Sequence, residues 1–250
     1  VFDKTLANKD YYGVFQFETP LAKNVLNTIV PSCFNDLSAC SAILRPGPLQ
    51  MGVDKTYAEN KNGGSWKVED LSECVQSILG PTKGCLVFQE QFMQIMHKIG
   101  GLTMAETNVF RKVVSKKFRD AKKEEERMKK LSSYKAQFIE IASKPENIGS
   151  VPKCEELWSL IENMATYAFN ASHSVSYTYI SFREFWLKTY YDLEYNVSLL
   201  NHNDLESSVG YITAMINKGY KISYPNVNKS EKQFSIFNDE IVWGLSSING

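Results

Sequence analysis

No stretch of this chain offers a ready-made catalytic centre. The glycine-rich phosphate loops GxxxxGKS/T and GxGxxG are both missing, and no GxSxG elbow marks a serine hydrolase. The three histidines, His97, His173 and His202, stand far apart, and none belongs to an HExxH zinc helix. Glu90 and Glu106 have no acidic neighbour in sequence for two-metal chemistry. The five cysteines, Cys33, Cys40, Cys74, Cys85 and Cys154, are odd in number and form no CxxC pair, which argues against a structural zinc site and for reduced thiols in a cytosolic protein. No charged-then-apolar signal opens the chain and no apolar run approaches about 18 residues, so no membrane partner is expected. Formal net charge is zero, and no global electrostatic attraction to nucleic acid follows.

What is present is an ordinary globular composition, 43% apolar and 22% charged over 250 residues, enough for one large domain or two modest ones. The charge is unevenly placed. Between Arg111 and Lys130 ten Lys or Arg face four acids, a local surplus of six. This run reads as a long helix from Arg119 to Ala142, with Met128, Leu131, Phe138, Ile139 and Ile141 at its apolar positions. Such a run is usually a solvated helix face; contact with a phosphate backbone is the functional alternative.

The chain is organised around Leu86–Lys117. A short apolar strand leads into a helix that gathers Phe92, Met93, Ile95, Met96 and Ile99 on one side and places His97 on the solvent side. Gly100-Gly101 ends it. Thr103 and Glu106 then have the capping-box spacing that opens a second helix. Its buried stripe reads Val109, Phe110, Val113 and Val114. Asn108, Arg111, Lys112, Ser115 and Lys116 fall within an arc of about 140° opposite. Three cations among amides and hydroxyls suit a polyanion; Lys117 falls with the buried stripe.

Elsewhere, GVFQFE at 13–18 reads as a short buried strand, and Thr19-Pro20 opens a helix to about Val30. A further helix from Pro31 stops at Arg45-Pro46-Gly47-Pro48, which sets an extended, rigid turn. Arg45 there either offsets a helix dipole or reaches a ligand. Helices are expected over 51–61, 71–79 and 155–167, with a polar loop at Asn62–Ser65. FNASHSVSY at 169–177 precedes an aromatic helix starting near Tyr177; Ser172 and Ser174 could cap it, or could bind an anion together with His173. After Asn201 come a helix over 204–218 and three short strands near 220–223, 233–237 and 241–245.

Taken in order, GVFQFET, LRPGPLQMG, FQEQFMQI with FRKVVSKK, FNASHSVSY and the closing IVWGLSSING resemble the C-family replicative DNA polymerases, the bacterial DNA polymerase III alpha subunits and their phage relatives. That family reads roughly GVFQLES, RPGPL, YQEQVM, a basic R-R/K-x-x-x-K-K run, FNKSHSxxY and YGIGAIKG. The resemblance covers essentially the whole chain. It implies the fingers region: a mainly α, multi-helix module with a few short β-strands near its C-terminal end. The helical core would occupy residues 1–200 and a small α+β extension 201–250, cut short at its end.

By this resemblance Arg45, Arg111, Lys112, Lys116, Lys117, Ser172 and His173 are the nucleotide-binding residues, while Gln89, Glu90 and Gln91 hold a helix junction. The implied activity is DNA-directed DNA polymerisation. The Mg²⁺-binding carboxylates would lie in a palm domain preceding Val1, which is not a Met, so the fragment alone is expected to be inactive. Implied partners are dNTP, template-primer DNA, the palm and thumb domains, a sliding clamp and other replisome proteins, in the cytoplasm of a bacterial or phage-infected cell. The alternative is a stand-alone, non-catalytic DNA- or replisome-binding module. One departure stands out. Ala171 occupies the position where the family carries Lys before SHS, so one phosphate contact is missing or is supplied by Lys116 or Lys117.

Overall fold

A computed structural model describes residues 1–64 and 71–248, the Leu205 side chain excepted. Ser65 of the expected polar loop and the last two residues of IVWGLSSING lie outside the described residues. The chain is mainly helical with one small three-stranded sheet near its C-terminal end, as the sequence pattern implies. It divides into two compact units, one of Val1–Lys23 with Tyr179–Gly250 and one of Asn24–Thr178.

Residues 24–178 hold most of helix α1 (Pro20–Ile29), then α2 (Phe34–Ile43), α3 (Pro46–Gln50), α4 (Val53–Lys61), α5 (Glu73–Leu79), α6 (Gln89–Lys98), α7 (Met104–Ser115), α8 (Ala121–Ala142), α9 (Val151–Ala165) and the start of α10 (Ala171–Tyr190). The expected helices at 51–61, 71–79 and 155–167 correspond to α4, α5 and α9. The core of α6–α9 is aromatic. Phe110 meets Phe92 edge-on at 6.1 Å, Tyr134 at 5.2 Å and Trp158 at 5.8 Å, and Trp158 meets Phe138 at 5.7 Å. These are the edge and tilted geometries that ring quadrupoles favour. The Thr103–Glu106 capping box forms: the Thr103 N–H and hydroxyl donate to Glu106 Oε2 at 2.7 Å, and the Glu106 N–H donates to Thr103 Oγ1 at 3.3 Å.

Several local expectations are corrected. The two prolines of RPGP do not hold an extended turn; Pro46 and Pro48 open the short helix α3, with Arg45 extended at its N-cap. The first turn of a helix has unpaired N–H groups in any case, so proline loses nothing there. Leu86–Phe88 forms only a single parallel bridge, from Phe88 to Phe169, rather than a strand. Val109 is 53% exposed and Thr107 takes its place in the buried face of α7. Met128 likewise faces solvent. Helix α10 begins six residues before Tyr177, at Ala171.

In the other unit, residues 13–18 form turns rather than a strand. Gly13 and Gln16 take left-handed φ values of 63° and 64°, which no strand allows, while Val14 and Phe17 remain buried. The backbone groups a sheet would satisfy are met by side chains: Glu184 accepts from the Phe15 N–H at 2.6 Å, Ser181 donates to the Phe15 carbonyl at 2.8 Å, and Tyr195 donates to the Gly13 carbonyl at 2.6 Å. Helices α11 (Asp192–His202) and α12 (Leu205–Asn217) follow, then β1 (Ile222–Ser223), β2 (Ser235–Phe237) and β3 (Glu240–Val242). Strand order is β1-β3-β2, parallel for β1–β3 and antiparallel for β2–β3. Asn238 and Asp239, both at positive φ, make the two-residue turn that suits the twist of this hairpin. Leu200, Met215, Phe234 and Ile241 form the core here.

Candidate functional site

The motifs singled out in sequence converge where α6 meets the N-terminus of α10. The Phe88–Phe169 bridge is closed by the Gln89 N–H on the Phe169 carbonyl at 2.8 Å and the Phe169 N–H on the Val87 carbonyl at 2.9 Å. All three polar residues of QEQ are spent on this junction. Buried Gln91 accepts from the Val87 and Phe88 N–H groups, both at 2.9 Å, and donates to the Ile78 carbonyl at 3.1 Å and Thr82 Oγ1 at 2.6 Å. Glu90 accepts from Asn170 Nδ2 at 2.8 Å and from the Ala171 N–H at 2.9 Å. Gln89 donates to the Ala168 carbonyl at 3.1 Å and accepts from Arg111 Nη1 at 3.3 Å.

Around Phe169 the structure gathers three of the sequence-predicted residues. The Arg45 guanidinium lies over the Phe169 ring, 4.4 Å from its centroid. Its Nε donates to the Ala42 carbonyl at 3.2 Å and its Nη2 to the Tyr167 carbonyl at 2.5 Å. Burial lowers the Arg45 pKa from its ordinary value, yet a guanidinium starts so high that the group stays a cation. His173 meets the same ring edge-on at 5.3 Å and lies tilted against Tyr177 at 4.0 Å. Arg111 reaches the junction through Gln89. The α2–α3 corner and the first turn of α10 therefore bring a guanidinium and an imidazole to the Phe169 ring, and α7 brings a second guanidinium to Gln89 of the same junction.

The remaining candidates are placed differently. Ser172 is exposed in the first turn of α10, beside His173. Lys112 is exposed on α7 next to Arg111. Helix α7 ends at Ser115, and Lys116 is extended at φ −114°, ψ 125°, so the helical-wheel grouping of Lys116 with Arg111 does not hold. Lys116 lies over the Phe118 ring instead, at 5.1 Å, and Lys117 is exposed one residue on. Among the described residues none of Lys112, Lys116 or Lys117 touches the Phe169 cluster. Within the basic run Arg127 is structural: it is 8% exposed, pairs with Glu124 at 2.6 Å and donates to the Val113 carbonyl near the end of α7 at 3.1 Å.

Sequence reasoning missed Phe169 and Asn170 as participants, and misplaced the cap and the partner of Glu90. Phe169 is the platform for Arg45 and His173. Asn170, not Ser172 or Ser174, caps α10, accepting from the His173 N–H at 2.9 Å. Ser174 is buried, donating to the Ser38 carbonyl at 2.8 Å. Glu90 sits against the α10 N-terminus. An Asn ahead of Ala-Ser-His was a readable capping signal; the reach of Glu90 across 80 residues was not. Among the described residues no three His, Cys, Asp or Glu come together as a metal site, and no helix is long and apolar enough to cross a membrane.

Comparison of the sequence with known proteins shows its family. Residues 2–137 match the family model described as the bacterial DNA polymerase III alpha subunit finger domain. DNA polymerase III subunit alpha of Campylobacter jejuni is 34% identical, with 98% of this chain and 20% of the relative covered. The Helicobacter pylori protein of that name is 33% identical, covering 99% and 20%, and that of Escherichia coli K12 is 32% identical, covering 98% and 21%. The chain thus spans about a fifth of the length of these curated relatives. The chain belongs to the finger-domain family of the bacterial DNA polymerase III alpha subunit.

Proposed function

We propose that the Arg45–Arg111–His173 cluster binds the triphosphate of an incoming dNTP in a DNA-directed DNA polymerase. Ser172, Lys112, Lys116 and Lys117 complete its polar and cationic surround. The observation that carries this reading is the convergence of Arg45, Arg111 and His173 on the Phe169 junction from three separate helical elements. Guanidinium donors at fixed positions suit a polyanion whose charge moves toward the leaving pyrophosphate. Lys112, Lys116 and Lys117, exposed and not tied into the junction, can swing toward phosphate oxygens.

In this reading residues 1–200 are the helical fingers core and 201–250 its small α+β extension. Phosphoryl transfer belongs to a palm domain outside this chain, whose carboxylates would hold two Mg²⁺, and the fragment by itself is inactive. Template-primer DNA is gripped mainly through its phosphates, so binding weakens as salt rises. The thumb, a sliding clamp and other replisome proteins complete the set of partners, in the cytoplasm of the bacterial or phage-infected cell.

The test is single-nucleotide incorporation by a polymerase carrying this segment, with Arg111→Ala and Lys112→Ala. A loss of kcat/KM for dNTP of about 10²-fold or more is expected, the scale for removing fixed charge-stabilising donors. Normal incorporation by the double variant would sink the triphosphate assignment. The competing reading, a stand-alone non-catalytic module, requires a start codon close upstream of Val1 in place of palm-coding sequence.

A further inference from the structure

The end of an α-helix that carries free N–H groups is a natural anion site, with a partial positive charge of about half a unit. In α10 that place is already filled from within the chain. Glu90 Oε2 takes the Ala171 N–H at 2.9 Å, and Glu90 Oε1 takes Asn170 Nδ2 at 2.8 Å. Asn170 Oδ1 in turn takes the His173 N–H at 2.9 Å. With the Ala171 and His173 N–H groups taken, a carboxylate held here repels a second anion.

We propose that Glu90 is a resident anion: it closes the α10 N-terminus, so that a polyphosphate is bound by the side chains of Arg45, Arg111, Ser172 and His173 rather than by the helix's own N–H groups. This rests on the triphosphate reading above and deepens it. Glu90 is a positioning residue in this scheme. Through Asn170 it sets the first turn of α10, from which the His173 ring reaches Phe169 and Tyr177.

The test is an amide NMR titration of the full 250-residue chain with inorganic tripolyphosphate as the probe. In the wild type the His173 imidazole and the Arg45 and Arg111 guanidinium signals should shift while the Ala171 amide stays still. In Glu90→Gln, affinity should rise about three- to tenfold, the scale of removing one partly screened like charge, and the Ala171 amide should now move. A wild-type Ala171 amide that shifts with the others would mean that the ligand displaces Glu90, and would overturn the proposal. So would equal or weaker binding by Glu90→Gln with the α10 amides otherwise in place. If Glu90→Gln fails to fold, the wild-type Ala171 amide decides alone. The two readings fail differently. A wild-type Ala171 amide that shifts, with binding weakened in Arg111→Ala/Lys112→Ala, refutes the role of Glu90 and leaves the triphosphate assignment standing, whereas no binding by the wild type refutes both.

Discussion

Replacing Asp36 by Asn should strip both stability and acid sensitivity from the 24–178 unit. The Asp36 side chain is 1% exposed and accepts from the Ser32 N–H and hydroxyl, both at 3.0 Å, from the Tyr57 hydroxyl at 2.9 Å and from Lys61 Nζ at 2.8 Å. Lys61 also donates to the Ile29 and Val30 carbonyls at the end of α1, so one ion pair ties α1, α2 and α4 together. Burial alone would raise the Asp36 carboxyl. The hydrogen bonds from Lys61, Ser32 and Tyr57, with the Lys61 charge, overcome it and hold the pKa at about 2. An unfolded Asp titrates near 3.9, and the difference of about 1.9, at 1.36 kcal/mol each, is about 2.6 kcal/mol. Because the folded value is the lower one, this stability is fully present above about pH 4 and is lost as pH falls through about 2. Asp36→Asn also leaves Lys61, 14% exposed, without its counter-charge, at a cost of about 3–5 kcal/mol at pH 7. Hydrogen exchange of the α2 and α4 amides, followed from pH 7 to pH 2, reads both quantities in this unit alone. A loss under about 1 kcal/mol at neutral pH, or an unchanged acid slope in the variant, would refute the reasoning.

Other expectations follow from equally specific contacts. Arg45→Lys cannot stack a planar cation on Phe169 while donating to both the Ala42 and Tyr167 carbonyls; dNTP incorporation should fall about tenfold or more, with melting temperature little changed. Gly47→Ala would place a methyl 2.1 Å from the Tyr167 ring, and should cost about 1–3 kcal/mol in thermal unfolding. It should also weaken nucleotide binding, since the Tyr167 carbonyl anchors Arg45. In the other unit, Lys188 donates to Asp10 Oδ1 and the Tyr12 carbonyl, both at 2.6 Å, and Lys218 shares the same carboxylate. Lys188→Ala should destabilise that unit by about 3 kcal/mol in urea unfolding, because Asp10 keeps only one of its two cations.

Local periodicity and capping chemistry were enough to place most helices. The Thr103–Glu106 box, the Pro20 helix start and the Phe92, Ile95 and Met96 face depend on residues within two turns of each other, and all appear where the pattern puts them. The resemblance of the ordered motifs likewise led to the family that the comparisons identify. Failures came where a local rule was overruled by a distant partner. GVFQFE has the composition of a strand, but Glu184, Ser181 and Tyr195 satisfy its backbone, so it needs no neighbouring strand. Lys116 failed for a different, local reason: it fits the helical wheel of α7, but the helix stops one residue before it.

What the amino-acid sequence determined by itself was the inventory: a mainly helical chain, a small terminal sheet, and a set of cations and hydroxyls in a recognisable order. Only the tertiary structure decided which of them meet. Arg45, Arg111 and His173 are scattered over about half the chain, and it is the Phe88–Phe169 bridge and the QEQ hydrogen bonds that bring them to one junction, two at the Phe169 ring and one at Gln89. Helix periods are short-range and readable from spacing. The placement of Glu90 on the α10 N-terminus depends on two carboxylate hydrogen bonds spanning 80 and 81 residues, a distance over which no periodicity carries information.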